Sequence, residues 1–245
     1  MSFTAFQDKI SAIVPKERRY TDALRCLAWG TDASFYRITP KMVIRSDNSA
    51  EVSQILALAN EQRVPVTFRA AGTSLSGQSI TDSVLLVAGK NWEGYEIGEE
   101  GRTITLEPGI IGSRVSELLA PYGRFFTPDP ASKNSAMVGG IVINNASGMN
   151  CGTHANSDRV LYAVRIVLAD GTVLDTADPA SRQAFALSHK PLLDEIIAIR
   201  DEIRADAALT ARIRHKYSIK NVTGLNILPM VLYDDPFDII AHCMV

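Results

Sequence analysis

The sequence contains few cysteines, little net charge and no long apolar run. The three cysteines lie far apart and form no Cys-x-x-Cys pair, so we expect small buried hydrophobic residues rather than a metal or redox site. The formal net charge of −2 gives no reason to expect nucleic acid or an anionic membrane as a partner. No apolar run approaches the length that spans a bilayer, so no transmembrane segment is predicted.

The two ends of the sequence differ in character. Residues 1–20 are polar and charged, so no signal peptide is expected, and a reduced, cytoplasmic setting is favoured. Peripheral association with a membrane is left open. The last ten residues are largely apolar, whereas the termini of soluble domains are usually polar. We therefore expect the chain to be the N-terminal fragment of a longer protein.

The pattern of apolar residues predicts an α+β fold rather than a doubly wound sheet. Strands are predicted at residues 42–44, 64–68, 84–87, 103–106 and 160–168. Helices are predicted at the start of the chain, after a cap at Asn48 or Ser49, at 112–119 and at 191–207. Residues 122–154 are rich in Gly, Asn, Ser and Pro, which predicts one long irregular stretch of the kind that usually carries function.

The segment at residues 70–79, here called the first loop, follows a predicted strand and consists mainly of small and hydroxyl-bearing residues. Such a loop lets backbone N–H groups surround a phosphate, because neither Cβ bulk nor a carboxylate blocks the approach. It is not a Walker loop, since the Gly-Lys-Ser/Thr ending is missing. It also lacks the Rossmann Gly-x-Gly-x-x-Gly spacing.

A second segment, residues 127–153, has a similar composition. Its glycines permit positive φ and close backbone approach, and Asn144 and Asn145 offer amides without adding charge. This surface suits a flat, polar-edged ring system lying against the backbone. From these residues alone, a glycine-rich structural loop is an equally good interpretation.

Taken in order, these motifs resemble the FAD-binding domain of the p-cresol methylhydroxylase and vanillyl-alcohol oxidase flavoproteins. More narrowly, the chain resembles the FAD-linked 2-hydroxyacid dehydrogenases, which include D-lactate, glycolate and D-2-hydroxyglutarate dehydrogenases. The likeness rests on the first loop, on the Pro-Asp-Pro, Gly-Gly and Asn-Asn-Ala runs of the second segment, and on Leu168-Ala169-Asp170-Gly171. Flanking matches are Asp32-Ala33-Ser34-x-Tyr36-x-x-x-Pro40 and Lys220-Asn221-Val222-Thr223-Gly224.

The resemblance implies a domain plan and a set of contacts. It implies an arm at 1–40, an FAD-binding domain at 41–176 with subdomains 41–110 and 111–176, and a helical connector at 177–245. The FAD pyrophosphate would be held by Ala70, Ala71, Gly72, Thr73, Ser74, Leu75, Gly77, Gln78 and Ser79. The flavin and ribityl chain would be bordered by Pro128, Asp129, Gly139, Gly140, Asn144, Asn145 and Gly148. The ribose and adenine would be reached by Gly152 and the backbone near Ile166.

The resemblance also implies a reaction, the oxidation of a 2-hydroxyacid by hydride transfer to flavin N5, with a separate electron acceptor. FAD is expected to be non-covalent, because the first loop has neither His nor Cys and Cys151 has no clear counterpart. The family's substrate arginines, metal-binding histidines and base come largely from a C-terminal cap that the chain is expected to lack. No catalytic residue or metal ligand is therefore named, and neither the hydroxyacid nor the oligomeric state follows from the sequence.

Several alternatives remain at this stage. A sugar or alditol oxidase on the same FAD domain is one, and a non-catalytic, truncated FAD-binding module is another. Arg69 is either a charge partner for the pyrophosphate or part of a structural salt bridge. His154 is expected to be a hydrogen-bonded structural residue rather than a proton donor beside the flavin.

Overall fold

The computed structural model describes residues 3–219 and 225–243, so the motif at residues 220–224 lies outside the described residues. The strands are β1 Arg19–Tyr20, β2 Met42–Ser46, β3 Val66–Arg69, β4 Val84–Ala88, β5 Tyr95–Gly98, β6 Thr103–Leu106, β7 Arg165–Val167 and β8 Val173–Asp175. The helices are α1 Phe3–Lys9, α2 Ala23–Ala28, α3 Ser49–Gln62, α4 Gly112–Leu119, α5 Val138–Ile143, α6 Ser157–Val160, α7 Pro179–Ser188, α8 Lys190–Ala205, α9 Ala207–Lys216, α10 Pro229–Leu232 and α11 Pro236–Cys243. Short 3₁₀ turns occur at Ile10–Ala12, Lys16–Arg18, Glu99–Gly101, Ala120–Tyr122 and Met149–Cys151.

The chain divides into two compact units. Unit 1 comprises Met1–Phe126, Ala131–Gly140 and Val167–Thr172, and unit 2 comprises Thr127–Pro130, Ile141–Ile166 and Val173–Val245. Within the described residues, no helix is both long and apolar enough to cross a membrane.

Unit 1 is built on a four-stranded sheet with the order β1-β2-β4-β3. The strands β2, β4 and β3 are parallel, and β1 pairs with β2 in the antiparallel sense. The two central strands, β2 and β4, are largely buried; β4 is wholly apolar and β2 begins with three apolar residues, as expected of parallel strands covered on both faces. The sheet therefore fixes where β3 ends, and with it the start of the first loop.

Helix α3 covers one face of this sheet. The Asn48 side chain accepts a hydrogen bond from the Glu51 amide at 2.9 Å, which confirms the predicted N-cap. The helix ends at Arg63, which adopts a left-handed conformation with φ 55°. The apolar face of α3 packs with α1 on β2 and β4, and residues such as Phe6, Ile44 and Ile55 are fully buried in this core.

The segment Val167–Thr172 returns to unit 1 and closes against α3. The amide of Gly171 donates to Leu168 O at 2.9 Å, so the predicted Asp170-Gly171 turn is confirmed. The Ser53 hydroxyl donates to Gly171 O at 2.5 Å. A Cβ atom on Gly171 would lie 2.6 Å from Ser53 O, and its φ is +88°, so only glycine suits this position.

Unit 2 is mainly helical after β8. Its helices α8, α9 and α10 contact one another, and Ile213, Leu228 and Val231 form a buried cluster. Arg204 pairs with the Asp234 carboxylate at 2.5 Å and donates to Met230 O at 2.9 Å, which ties α8 to the end of α10. The helix predicted at 191–207 is thus confirmed as α8, from Lys190 to Ala205.

Two local predictions were wrong. The stretch at 122–154 is not wholly irregular, because residues 138–143 form the short helix α5, whose first amide donates to Ile110 O at 2.7 Å. The strand predicted at 160–168 is shorter. Residues 157–160 form the helix α6 instead, closed by the amide of Leu161 on Ser157 O at 2.9 Å, and only Arg165–Val167 is extended as β7.

Candidate functional site

The first loop leaves the carboxyl end of β3 in unit 1. Gly72 and Gly77 have φ values of 71° and 72°, in the left-handed region that favours glycine. Most of its residues are half-buried or exposed, and Ser79 is buried. The loop therefore combines turns made by glycine with residues that are mostly not buried.

Arg69, the last residue of β3, lies directly against this loop. A Cβ atom added to Gly72 would come within 2.5 Å of the Arg69 guanidinium. Its Nη1 donates to Thr31 O at 2.7 Å and Trp29 O at 3.3 Å, and the guanidinium lies 5.2 Å from the Trp29 ring centroid. Burial lowers the pKa of Arg69, and the neighbouring Asp32 carboxylate opposes that shift.

The bonding of Arg69 separates the two alternatives stated for it. Among the described residues, its hydrogen bonds go to carbonyl oxygens and not to a carboxylate, and its Nε is buried without a hydrogen-bond partner. The structure therefore does not show a direct structural salt bridge at the end of β3. A half-buried guanidinium beside a small-residue loop is instead suited to an anionic ligand.

Segment 29–36 of the arm holds the first loop at several points. The Ala33 amide donates to Gly72 O at 3.0 Å, and the Ser79 hydroxyl donates to an Asp32 carboxylate oxygen at 2.9 Å. Burial opposes ionisation of Asp32, but hydrogen bonds from Ser34 and Ser79 outweigh it and lower its pKa. Sequence reasoning missed this role of Asp32, because nothing in the local pattern predicts a contact across 47 residues.

The first two glycines of the second segment also lie in unit 1, near the first loop. A Cβ atom on Gly139 would meet Pro108 at 2.6 Å, so this glycine is required for packing. A Cβ atom on Gly140 would instead lie 3.5 Å from Ala70 Cβ, an ordinary contact. The structure thus brings Gly140 together with the start of the first loop.

The other residues predicted to border the flavin lie in unit 2, where Pro128 and Asp129 are fixed by Cys151. The Cys151 thiol is buried, donates to Thr127 O at 3.1 Å and accepts from the Asp129 amide at 3.2 Å. A Cβ atom on Gly148 would lie only 1.7 Å from Asp129 O. Gly148 is therefore required by the close packing of two backbones.

Asn145 and Gly152 occupy special backbone positions in unit 2. Asn145 has φ 42°, which asparagine tolerates better than most residues, and its Oδ1 accepts from the Asp158 amide at 3.3 Å. Gly152 has φ 58° and open space on the side where a Cβ would be.

The remaining predicted residues of unit 2 differ in exposure. Asn144 is exposed, and Ile166 is half-buried within β7. His154 is exposed, and its Nε2 lies 3.4 Å from the hydroxyl of the adjacent Thr153.

Unit 2 also contains several buried polar atoms without a hydrogen-bond partner among the described residues, which sequence reasoning missed. They are Thr127 Oγ1, Ser147 Oγ, Asn156 Oδ1, Ser157 Oγ and Asp158 Oδ1. Such atoms are costly to bury unless a ligand or water supplies the missing bond. The only sequence signal for them is the local density of Ser, Thr and Asn. In the described part of the chain, no group of three or more His, Cys, Asp or Glu residues could hold a metal.

The residues present fit FAD. The first loop has no carboxylate, has glycines in left-handed conformations and lies beside a guanidinium with an unsatisfied Nε. The orphan polar atoms of unit 2 are of the kind that the polar edge of a flavin or a ribityl hydroxyl could satisfy. Each of these features suits an anionic, polar-edged cofactor, and none depends on a metal.

Comparison with known proteins gives a consistent result. Residues 40–177 match the family profile described as FAD binding domain. The glycolate oxidase subunit GlcD of Escherichia coli K12 is 33% identical over 149 residues, which is 60% of this chain and 30% of that protein. The D-2-hydroxyglutarate dehydrogenase of the same strain is 30% identical over 154 residues, 61% of this chain and 15% of that protein. The D-lactate dehydrogenase of Archaeoglobus fulgidus is 28% identical over 153 residues, 62% of this chain and 34% of that protein.

Solved structures share the fold at lower identity. Alkyldihydroxyacetonephosphate synthase superposes with a TM-score of 0.61 at 16% identity, covering 71% of this chain and 36% of that one. Chitooligosaccharide oxidase superposes with a TM-score of 0.59 at 18% identity, covering 70% and 36%. The predicted α+β FAD-binding fold is confirmed. The matched region spans only about a third or less of each of these sequence relatives.

Proposed function

The chain belongs to the FAD binding domain family, and on that premise we propose that it is the FAD-binding portion of an oxidoreductase that oxidises a 2-hydroxyacid. The substrate would be of the D-lactate, glycolate or D-2-hydroxyglutarate type. Support for this substrate class comes from the relatives named above, whose names all refer to 2-hydroxyacids. When bound, FAD supplies the hydride acceptor at flavin N5, and a separate acceptor takes the electrons onward.

The observation that carries the proposal is the first loop with Arg69 beside it. In unit 1 the loop would hold the pyrophosphate through its backbone amides, from Ala70 to Leu75 and from Gly77 to Ser79. The Arg69 guanidinium would supply positive charge to that anion, because its orientation is fixed by hydrogen bonds that, among the described residues, go to carbonyl oxygens.

The second segment would contact the rest of the cofactor. We propose that Pro128, Asp129, Gly139, Gly140, Asn144, Asn145 and Gly148 border the flavin and ribityl chain. Gly152 and the backbone near Ile166 would reach the ribose and adenine. Non-covalent binding is favoured, because the buried Cys151 thiol is already engaged by Thr127 and Asp129. The Ser147 hydroxyl and the Asn156 side-chain Oδ1, both without a hydrogen-bond partner among the described residues, would add two polar contacts that the sequence did not indicate.

The alternatives differ in substrate rather than in cofactor. A sugar or alditol oxidase would use the same FAD domain, but the solved structures of that kind are under 20% identical and support the fold alone. A non-catalytic FAD-binding module would bind the cofactor and turn over nothing. Both alternatives keep the role of the first loop and differ only in what happens after FAD is bound.

The test is a visible absorption spectrum of the purified chain before and after it is mixed with FAD and desalted. Retained flavin absorbance is expected, and a folded chain that stays colourless would contradict the proposal. The flavin-loaded chain is then mixed without oxygen with D-lactate, glycolate or D-2-hydroxyglutarate, with L-lactate as the stereochemical control for D-lactate. Bleaching by one of these hydroxyacids supports the dehydrogenase, and bleaching by a sugar alone supports the sugar oxidase. Stable FAD that no substrate bleaches supports the binding module.

A further inference from the structure

The arm that precedes β2 forms several hydrogen bonds with Arg69 and the first loop. Residues 29–33, here called the arm clasp, supply carbonyl oxygens to Arg69 through Trp29 and Thr31. They also supply an amide to Gly72 O through Ala33. All of these contacts lie within unit 1. The arm clasp therefore touches both the charged residue and the backbone that the proposed function assigns to the pyrophosphate.

Asp32 connects the arm clasp to the far end of the first loop. One carboxylate oxygen accepts from the Ser34 amide at 2.9 Å, which fixes the turn in the arm, and the other accepts from the Ser79 hydroxyl at 2.9 Å. Ser79 is buried at 8% exposure, so this contact is not at the solvent-exposed edge of the loop. The loop is thus anchored near its beginning at Gly72 and at its end by Asp32.

We propose that Asp32 is a positioning residue that holds the first loop in its cofactor-binding conformation, an inference that rests on the proposed FAD site. A glycine-rich loop loses much conformational freedom when it is ordered, and that loss weakens ligand binding if it must occur on binding. A loop that is already ordered avoids this cost. Asp32 would act through the loop, and it needs no contact with FAD.

Loss of the anchoring by Asp32 and loss of its charge are expected to change the FAD affinity in opposite directions. Asp32 is an anion close to the site proposed for another anion, so loss of its charge alone would tighten FAD binding. Loss of its hydrogen bonds would loosen the loop and weaken FAD binding. Asp32→Ala removes both the charge and the bonds, and we expect about tenfold weaker binding. Asp32→Asn removes the charge but keeps hydrogen-bonding groups in the same place, and we expect binding at least as tight as that of the unmodified chain.

The experiment measures the FAD dissociation constant of the full chain by flavin fluorescence, together with amide hydrogen exchange of residues 70–79 without FAD. Asp8→Ala is the matched control, because Asp8 is an exposed carboxylate of the same arm that lies in α1, away from the arm clasp in sequence. Faster exchange in the first loop is expected for Asp32→Ala and not for Asp8→Ala.

The single variant Ser79→Ala provides a second readout in case Asp32→Ala folds poorly, because it removes the same hydrogen bond from the side of the loop. If both variants fold, the double variant should bind FAD no more weakly than Asp32→Ala alone. Additive losses in the cycle would overturn the proposal, as would Asp32→Ala binding FAD as tightly as the unmodified chain. If the unmodified chain fails to bind FAD, the proposed function is refuted, whereas unchanged hydrogen exchange of the first loop in Asp32→Ala, measured without FAD, overturns the proposal for Asp32 alone.

Discussion

Replacing Arg69 with methionine tests the electrostatic part of the proposed site. Methionine keeps the length and apolar character of the side chain but removes its charge and its hydrogen bonds. Two unit charges 4 Å apart attract by about 4 kcal/mol at an effective dielectric constant near 20 and by about 1 kcal/mol in bulk water. Arg69 is half-buried and lies directly against Gly72, so its charge is partly screened by solvent. We therefore expect a loss of about 1.5 kcal/mol, or roughly tenfold in the FAD dissociation constant.

Salt dependence distinguishes this charge effect from a general loss of structure. The Debye length is about 10 Å at 0.1 M salt, so the attraction between Arg69 and the pyrophosphate should weaken as salt is added. FAD binding by the unmodified chain should accordingly fall with salt more steeply than binding by Arg69→Met. Isothermal titration calorimetry at two or three salt concentrations measures both the affinity and this slope. Equal affinity and equal slope for the two proteins would refute the assignment of Arg69.

Two further variants serve as controls for the Arg69 experiment. Arg69→Lys keeps the charge but replaces the planar guanidinium, whose Nη1 bonds two carbonyl oxygens, with a single ammonium group, so part of the affinity and most of the salt slope should remain. Arg25→Met removes another arginine that lies over an aromatic ring, the ring of Tyr20 at 4.5 Å, but one that does not contact the first loop. FAD affinity should be unchanged in Arg25→Met.

The remaining predictions concern stability. Gly148→Ala should destabilise the chain by about 2 kcal/mol or more in urea unfolding, because its Cβ would collide with Asp129 O, whereas Gly140→Ala, with room for a Cβ, should cost little. The hydrogen bond from Arg18 at 2.6 Å lowers the pKa of Glu51, so the stability it adds is present above the unfolded-state pKa of about 4.3. That stability should be lost as the pH falls below this value, and urea unfolding between pH 7 and pH 3.5 should show a smaller fall in Glu51→Gln than in the unmodified chain.

Much of unit 1 could be predicted from local sequence. The Asn48 cap and the apolar run of β2 each specify an element through neighbouring residues alone. These features needed no information about distant parts of the chain. Positive φ was considered only for the glycines of the second segment, whereas the structure shows it at Gly72 and Gly77 of the first loop.

Tertiary contacts account for what the sequence did not reveal. Helix α5 contains two glycines, which disfavour helix, and the pattern around it predicted an irregular stretch. It forms at a place where the amides of Val138 and Gly139 are fixed by Ile110 O and Pro108 O. The contact between Asp32 and Ser79 could not be predicted from neighbouring residues either, because serine and aspartate are both common in ordinary turns.

The contact between Ser53 and Gly171 has a consequence for how the protein is made. The last segment of unit 1, Val167–Thr172, is synthesised more than a hundred residues after Ser53, so helix α3 leaves the ribosome well before it. Until then, the surface of α3 around Ser53 lacks the turn that covers it. Unit 1 therefore cannot complete its native fold step by step as each residue is synthesised. It must wait for a segment that lies more than a hundred positions downstream of the helix it completes.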